Sequence, residues 1–408
     1  MAMTKADQAH ADSGQRRGSL FQLVLLGALT ANGPLAMDMY LPAFPEMTAS
    51  LAATPTQVQL SLTTCLAGMA LGQFFTGPLS DRWGRRRPVI IGTVGFALLS
   101  LLCAFAPNAM TLAALRFVHG FTGGMGVVVA RAIVRDQFSG AAAARYYSRL
   151  TLIFGIAPIA APGLGSVVLR FTSWRGIFVV LAALGALLAL LVSWRLPETL
   201  PPQRRTAAGL GPMLSAIRIL VADRLFIGYA LAQGLVFAAL FAYIAGSPFV
   251  FQDVFGLSDA AYSVVFGINS IGFVVLSQLN GTLVARRSPR RLLVGTLFVG
   301  VFAALTLLGG SLLDSLVLVS AALFIFTCSL GMVQPNTLTL ALDPHPERAG
   351  TAAALIGTTQ SMAGAFAAPL VGLQGSGTAL PMAVVVLSAL TMALVAVLTL
   401  ARPRARQS

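Results

Sequence analysis

One carboxylate lies clearly within an apolar stretch of this 408-residue chain, Asp38 in AMDMYLPAFP, because Glu46 follows the breaks at Pro42 and Pro45. Arg116, in LAALRFVHGFTGG, is a cation in an equally apolar run. A charged side chain in such a setting is costly unless it is paired or faces water, so both residues read as functional. Each stands about six residues from the same end of its segment, or roughly 9 Å at a rise of about 1.5 Å per residue, which makes pairing possible. A neighbouring cation favours the charged carboxylate and burial favours the neutral acid, so a carboxyl poised between them can exchange protons with whichever aqueous side reaches it. A static ion pair that fixes helix packing is the competing reading. A second constellation is the loop GPLSDRWGRRRP, from Gly77 to Pro88, with Asp81 and Arg85 four apart and Gly84 permitting a tight turn. Other chemistry is missing. Cys65, Cys103 and Cys328 fall in separate apolar runs, the three histidines are scattered, and no G-x-S-x-G, phosphate-binding loop or dinucleotide fingerprint occurs. No metal, cofactor or enzymatic activity is expected.

The elements that must position these residues follow from composition. With 57% apolar and 10% charged residues, against about 25% charged in an ordinary soluble domain, the chain is not a water-soluble enzyme. A net charge of +14 would suggest nucleic acid in a soluble protein. Here the arginines gather in short loops between apolar runs, so the lipid bilayer is the partner and nucleic acid is not. Cutting at charge clusters and Pro/Gly breaks gives spans at 20–41, 57–78, 89–106, 110–134, 148–169 and 174–196, then 225–248, 260–284, 292–309, 316–341, 350–373 and 378–401. The run at 20–41 is too long for a cleaved signal peptide and reads as the first span. An even number of spans puts both ends on the cytoplasmic side, where nearly all arginines then fall, against Arg170 and Arg175 alone outside. Arg116 and Arg131 remain within spans.

The polar connection 197–224, with Pro197, Pro201 and Pro202, divides the chain into two bundles of six spans, 20–196 and 225–401, flanked by cytoplasmic tails at 1–19 and 402–408. Gly77-x-Leu79 after span two recurs as Gly281-x-Leu283 after span eight. Such parallel repeats place a midplane cavity between the halves for alternating access.

The loop from Gly77 to Pro88 resembles the signature between spans two and three of the major facilitator superfamily. By that resemblance Gly77, Asp81, Gly84 and Arg85 form a gate that holds the cytoplasmic sides of the halves together in the outward-open state. Asp136 and the positive N-terminal end of span eleven near Gly350 join it. Arg116, four residues before Gly120, resembles a span-four signature of proton-coupled antiporters; His119 stands where Gln is common there, and is expected to be a hydrogen-bonded packing residue. Span five reads GIAPIAAPGLGS, in which Gly155, Pro158, Pro162, Gly163 and Gly165 permit a bend and close helix approach. It is similar to the antiporter signature there, departing at Ala161 and Ser166.

These segments, with MDMYLPAFP from Met37, Val134-Arg135-Asp136, SWRGIF from Ser173, PETL from Pro197, SPFVF from Ser247 and AGTAAAL from Ala349, resemble the Bcr/CflA family of drug:proton antiporters over nearly the whole chain. The resemblance implies an all-α major facilitator fold, twelve transmembrane helices in two pseudo-symmetric six-helix bundles. It also implies a monomer in the bacterial inner membrane that exports antibiotics of the bicyclomycin or chloramphenicol type, driven by protons without a cofactor. Some relatives with a similar span-one motif carry a second acid one or two turns before Asp38, where this chain has Thr30 and Asn32.

Candidates for the drug cavity combine apolar area with a few polar groups: Met37, Tyr40, Phe237 and Phe241, with the amides Asn269, Gln334, Asn336 and Gln360. A transporter dedicated to one sugar or amino-acid derivative would need a more polar cavity. A non-transporting receptor or scaffold would be expected to carry an added soluble domain, and no connection here is long enough to form one.

Overall fold

The computed structural model describes residues 20–138, 140–205, 210–284, 286–345, 349–372 and 377–401, and the two expected tails lie outside them. The described chain is helical, without a strand. Spans one to six are Leu20–Asp38, Pro55–Trp83, Arg86–Ala104, Ala109–Gln137, Gly140–Leu169 and Trp174–Arg195; spans seven to twelve are Arg224–Phe249, Asp259–Val284, Pro289–Leu312, Leu316–Leu342, Ala349–Val371 and Leu380–Thr399. Ten of these helices meet the length and hydropathy expected of a bilayer crossing over their described residues. Side chains start the helices: Thr54 forms a capping box with Gln57, and Asn108, Asp223, Ser288 and Ser315 each accept a backbone N–H of the first turn.

Several helices run past the expected limits, span five starting at Gly140 rather than 148 and span two reaching Trp83 rather than 78, and three further departures have local causes. Span one stops at Asp38 rather than 41, and the chain continues through a 3-10 turn, Leu41–Ala43, into a short helix, Phe44–Ser50. Pro42 and Pro45 lack donors and disfavour helical geometry in the residues before them. Span seven runs on into a π-helical turn, Val250–Val254. The connection 197–224 contains a helix, Leu210–Ala222, whose Leu220 is fully buried. Its 13 residues, apolar but for Ser215 and Arg218, are too few to cross a bilayer, so a reading that seeks membrane spans passes over it.

Spans two and four interlock through glycines. A Cβ at Gly68 or Gly72 would overlap the carbonyl groups of Phe117 or Phe121, and one at Gly120 would overlap that of Cys65; at Gly124 it would stand 2.6 Å from the Met69 carbonyl oxygen. Without a hydrophobic drive between helices in lipid, such close backbone approach is what holds spans together. Span ten repeats the device in the second half, where Gly331 abuts the Phe273 carbonyl of span eight.

The halves meet along span two with span eleven and span five with span eight. The face where span one starts is called the near face here, and the opposite one the far face. Hydrogen bonds joining described residues of the two halves gather at the far face. Gln59 donates to the Ala245 carbonyl at 3.0 Å, Gln252 to the Pro42 carbonyl at 3.0 Å, and Ser263 to the Pro162 carbonyl at 3.1 Å, while Ser166 pairs with Ser263. Phe44 packs on Phe249 beside them, ring centroids 5.8 Å apart.

Candidate functional site

Asp38 is the last residue of span one and is 6% exposed. It forms no ion pair with a described residue, so the pairing with Arg116 expected from equal depth is not made. Arg116 is occupied by span one on either side of it in sequence, through the Ala36 carbonyl and the Tyr40 ring. Asp38 is electrostatically coupled instead to Tyr243 and Tyr262, on spans seven and eight of the opposite half. Depth arithmetic fixes height along a helix and says nothing of azimuth.

Arg116 is fully buried. Its guanidinium donates to the Ala36 carbonyl at 2.8 Å, lies over the Tyr40 ring at 4.6 Å and the Phe178 ring at 5.7 Å, and leaves Nε without a partner. Its Nη1 stands 2.8 Å from His119 Nδ1. Arginine only donates, so Nδ1 accepts and the imidazole proton belongs on Nε2. From there it is donated to Ser100 Oγ at 2.8 Å, and Ser100 donates to the Phe96 carbonyl at 2.7 Å. His119 is thus a neutral bridge that orients Arg116. His119→Gln, whose amide can both accept and donate, is expected to keep transport within about threefold of the parent, whereas His119→Leu strands a buried donor and loses most of it. Equal transport by both variants at equal membrane abundance would refute the bridge.

The second expected constellation is assembled at the near face. Arg85, 2% exposed, binds Asp81 at 2.6 Å and Asp136 at 2.7 Å, and donates to Ser80 at 2.8 Å. Burial acts against its charge, but hydrogen bonds to Asp136 and Asp81 more than offset this and raise its pKa above the ordinary arginine value. Gly84 has φ +90°, a conformation that glycine adopts without strain. A residue that sequence reasoning missed completes the cluster. Glu198 accepts the N–H groups of Arg85 at 2.8 Å and Arg86 at 3.3 Å. Desolvation acts to raise its pKa, and backbone N–H groups of Leu200, Arg85, Arg86 and Thr199 outweigh it, leaving the carboxyl below the usual range. The PETL motif marked this segment without assigning Glu198 a role. Around Gly350 the helix is described and its first side chains are not, so the expected contact of span eleven lies outside the described residues.

Of the span-five residues, Gly165 approaches the Met39 carbonyl so closely that a Cβ would overlap it, which locks span five to the end of span one. Pro162 supplies a carbonyl to Ser263, and Pro158 lies inside the same helix as Gly155. Gly77 and Gly163 face open space.

The cavity candidates separate. Tyr40 is fully buried under Arg116, its hydroxyl 3.0 Å from Ser61, and Asn336 is clamped to Asn280 between spans ten and eight; both are packing residues here. Met37 is buried, and Gln334 and Gln360 are half-buried. Phe237 and Phe241 form a tilted pair at 5.7 Å, with Phe241 against Gly364 of span eleven. Asn269 donates to the Tyr243 hydroxyl at 3.0 Å, in the group that faces Asp38. Gln233, one turn before Phe237, is 1% exposed with both amide atoms unpartnered. Its polar character within an apolar run was the signal available for it.

The family model of the Major Facilitator Superfamily matches residues 26–369, spanning both halves and every residue of the two constellations. The chain belongs to the major facilitator superfamily. An MFS-type transporter of Bacillus subtilis (strain 168), YdgK, whose name marks it as uncharacterized, is 41% identical over 91% of this chain and 93% of its own length. The bicyclomycin resistance protein homolog of Haemophilus influenzae (strain ATCC 51907 / DSM 11121 / KW20 / Rd) is 31% identical over 90% of this chain and 93% of its own. The crystal structure of the nucleoside transporter NupG superposes with a TM-score of 0.78 at 15% identity, covering 93% of this chain and 99% of that one, which establishes a common fold.

As a member of this superfamily the chain is a multi-pass membrane transporter of small molecules and not an enzyme. The conformation described is sealed at the far face, where the inter-half bonds lie. Asp38 stands within that seal and the Arg85 cluster at the opposite end.

Proposed function

We propose that this protein exports small amphipathic antibiotics in exchange for protons, in the manner of the Bcr/CflA family, from the bacterial inner membrane. The observation that carries the reading is Asp38, a carboxylate buried in the sealed contact between the halves that forms no ion pair among the described residues. The bicyclomycin resistance homolog supports the substrate class. Arginines at the near face, against Arg170 and Arg175 at the far face, support cytoplasmic termini and therefore a far face that meets the outside.

The cycle follows from the cost of burying charge. When the far face opens, Asp38 is wetted from the proton-rich side and loads a proton. The neutral acid tolerates the dry contact that a bare carboxylate does not, so the loaded carrier closes its far face. On the near side the proton leaves as the drug arrives, and the restored charge favours reopening of the far face, where the drug escapes. Arg116 holds the end of span one through Ala36 and Tyr40 throughout, while the Arg85 cluster serves as the near-face latch. The proton gradient is the energy source, no cofactor takes part, and a single chain contains all of these parts.

The test is accumulation of chloramphenicol and of a cationic dye in an efflux-deficient bacterium expressing the chain, with and without an uncoupler. Lower accumulation that the uncoupler reverses is the expected result. Unchanged accumulation of every drug, with the protein confirmed in the membrane, would overturn drug efflux in favour of a dedicated metabolite transporter.

A further inference from the structure

Span three begins without a side-chain cap of its own: Arg85, at the capping position, makes no such bond. The first N–H groups of a helix have no partner within it, and here a carboxylate over a hundred residues away meets them. Glu198, just beyond span six, accepts from Arg85 and Arg86 and also from Thr199 at 3.0 Å and Leu200 at 2.9 Å. Arg205 lies 3.9 Å from its other side. Gly84 makes the approach possible, because a Cβ there would overlap the Glu198 carboxylate. The same segment touches the latch again where Thr199 donates to Asp136 at 3.4 Å. A negative charge at this helix start is also favoured by the helix dipole.

We propose that Glu198 is a positioning residue of the latch: by holding the backbone of Arg85 at the start of span three, it sets the guanidinium between Asp81 and Asp136. The connection between the halves is thereby fastened to the latch at its first acidic residue. Glu198 touches no substrate and acts through Arg85. The inference rests on the latch role of the Arg85 cluster and is independent of whether the cargo is a drug.

The test reads conformation in purified protein without substrate. In a chain with Cys65, Cys103 and Cys328 replaced by alanine, spin-label pairs at the exposed positions Arg87 and Arg287 report near-face separation, and pairs at Ala49 and Gly256 report the far face. Glu198→Gln retains the shape but loses the charge and half of the acceptor capacity. It is expected to reduce the near-face-closed population about tenfold. Glu198→Asp, which keeps the charge but withdraws the carboxylate from the Arg85 and Arg86 N–H groups by one methylene, is expected to shift the populations the same way. A variant that is folded, with parental populations at both faces, overturns the proposal, as does a fall in melting temperature with populations unchanged, since that is what a plain helix cap would give. If Glu198→Gln does not yield folded protein, the populations of Glu198→Asp decide. Absence of drug efflux in the parent, with these shifts present, would refute the cargo and leave Glu198 in its role.

Discussion

Asp38→Asn is expected to abolish proton-driven efflux while leaving membrane insertion intact. The substitution barely changes volume and removes a buried carboxyl from the contact between the halves. Asparagine is a permanent mimic of the proton-loaded acid, so the far-face-closed conformation should become the dominant one. Two measurements check this: drug accumulation should equal that of cells lacking the protein, and far-face label separations should collapse onto the short value at every pH. Wild-type resistance at equal abundance would sink the role of Asp38. So would loss of efflux with a freely opening far face, because Asp38 would then be needed for something other than the proton.

The second large effect is on folding. Gly120→Val is expected to eliminate folded protein, because its side chain would be driven into the Cys65 carbonyl of span two. Overpacking among side chains costs about 1–3 kcal/mol when rotamers can shift. Here the obstacle is backbone, and Gly124, Gly68 and Gly72 repeat the contact along the same pair of helices, so no small shift relieves it. The measurement is the yield of monodisperse protein after detergent extraction, with Gly77→Ala as the comparison, since Gly77 faces open space and its replacement should be well tolerated. Recovery of the valine variant at the parental yield would show that spans two and four can separate without loss of the fold.

Much of this architecture was legible in the chain. The order of the spans follows from apolar runs interrupted by arginine and proline, although helices reach past the expected limits where polar residues continue the turn, as span five does from Gly140 and span two to Trp83; the ion pair of Asp81 and Arg85 follows from their four-residue spacing across a glycine turn. The surroundings of Asp38 were not legible, because Tyr243 and Tyr262, near enough to feel its charge, belong to the other half and no local pattern links them. Asn336 and Tyr40 looked like cavity residues by type, yet each is satisfied by a neighbour helix. Glu198 was hidden for a related reason: its partners are backbone N–H groups, which every sequence possesses and none advertises. The glycines of spans two and four could have been noticed as two four-residue repeats, but which helix each one faces is a tertiary fact.

The two ends of the molecule are built on different forces. At the far face the described bonds between the halves run between amides, hydroxyls and carbonyls, whereas the near-face cluster, within the first half, joins a guanidinium to carboxylates. Dissolved ions screen interactions between charges over a Debye length of about 8 Å at physiological ionic strength and have little purchase on neutral hydrogen bonds. Arg85 is 2% exposed, so added salt acts chiefly on the outer pair of the cluster, Arg135 with Asp81 at 3.8 Å, and hardly at all on the far-face bonds. A transporter built this way carries a sensitivity to dissolved ions at its near face that its far face lacks.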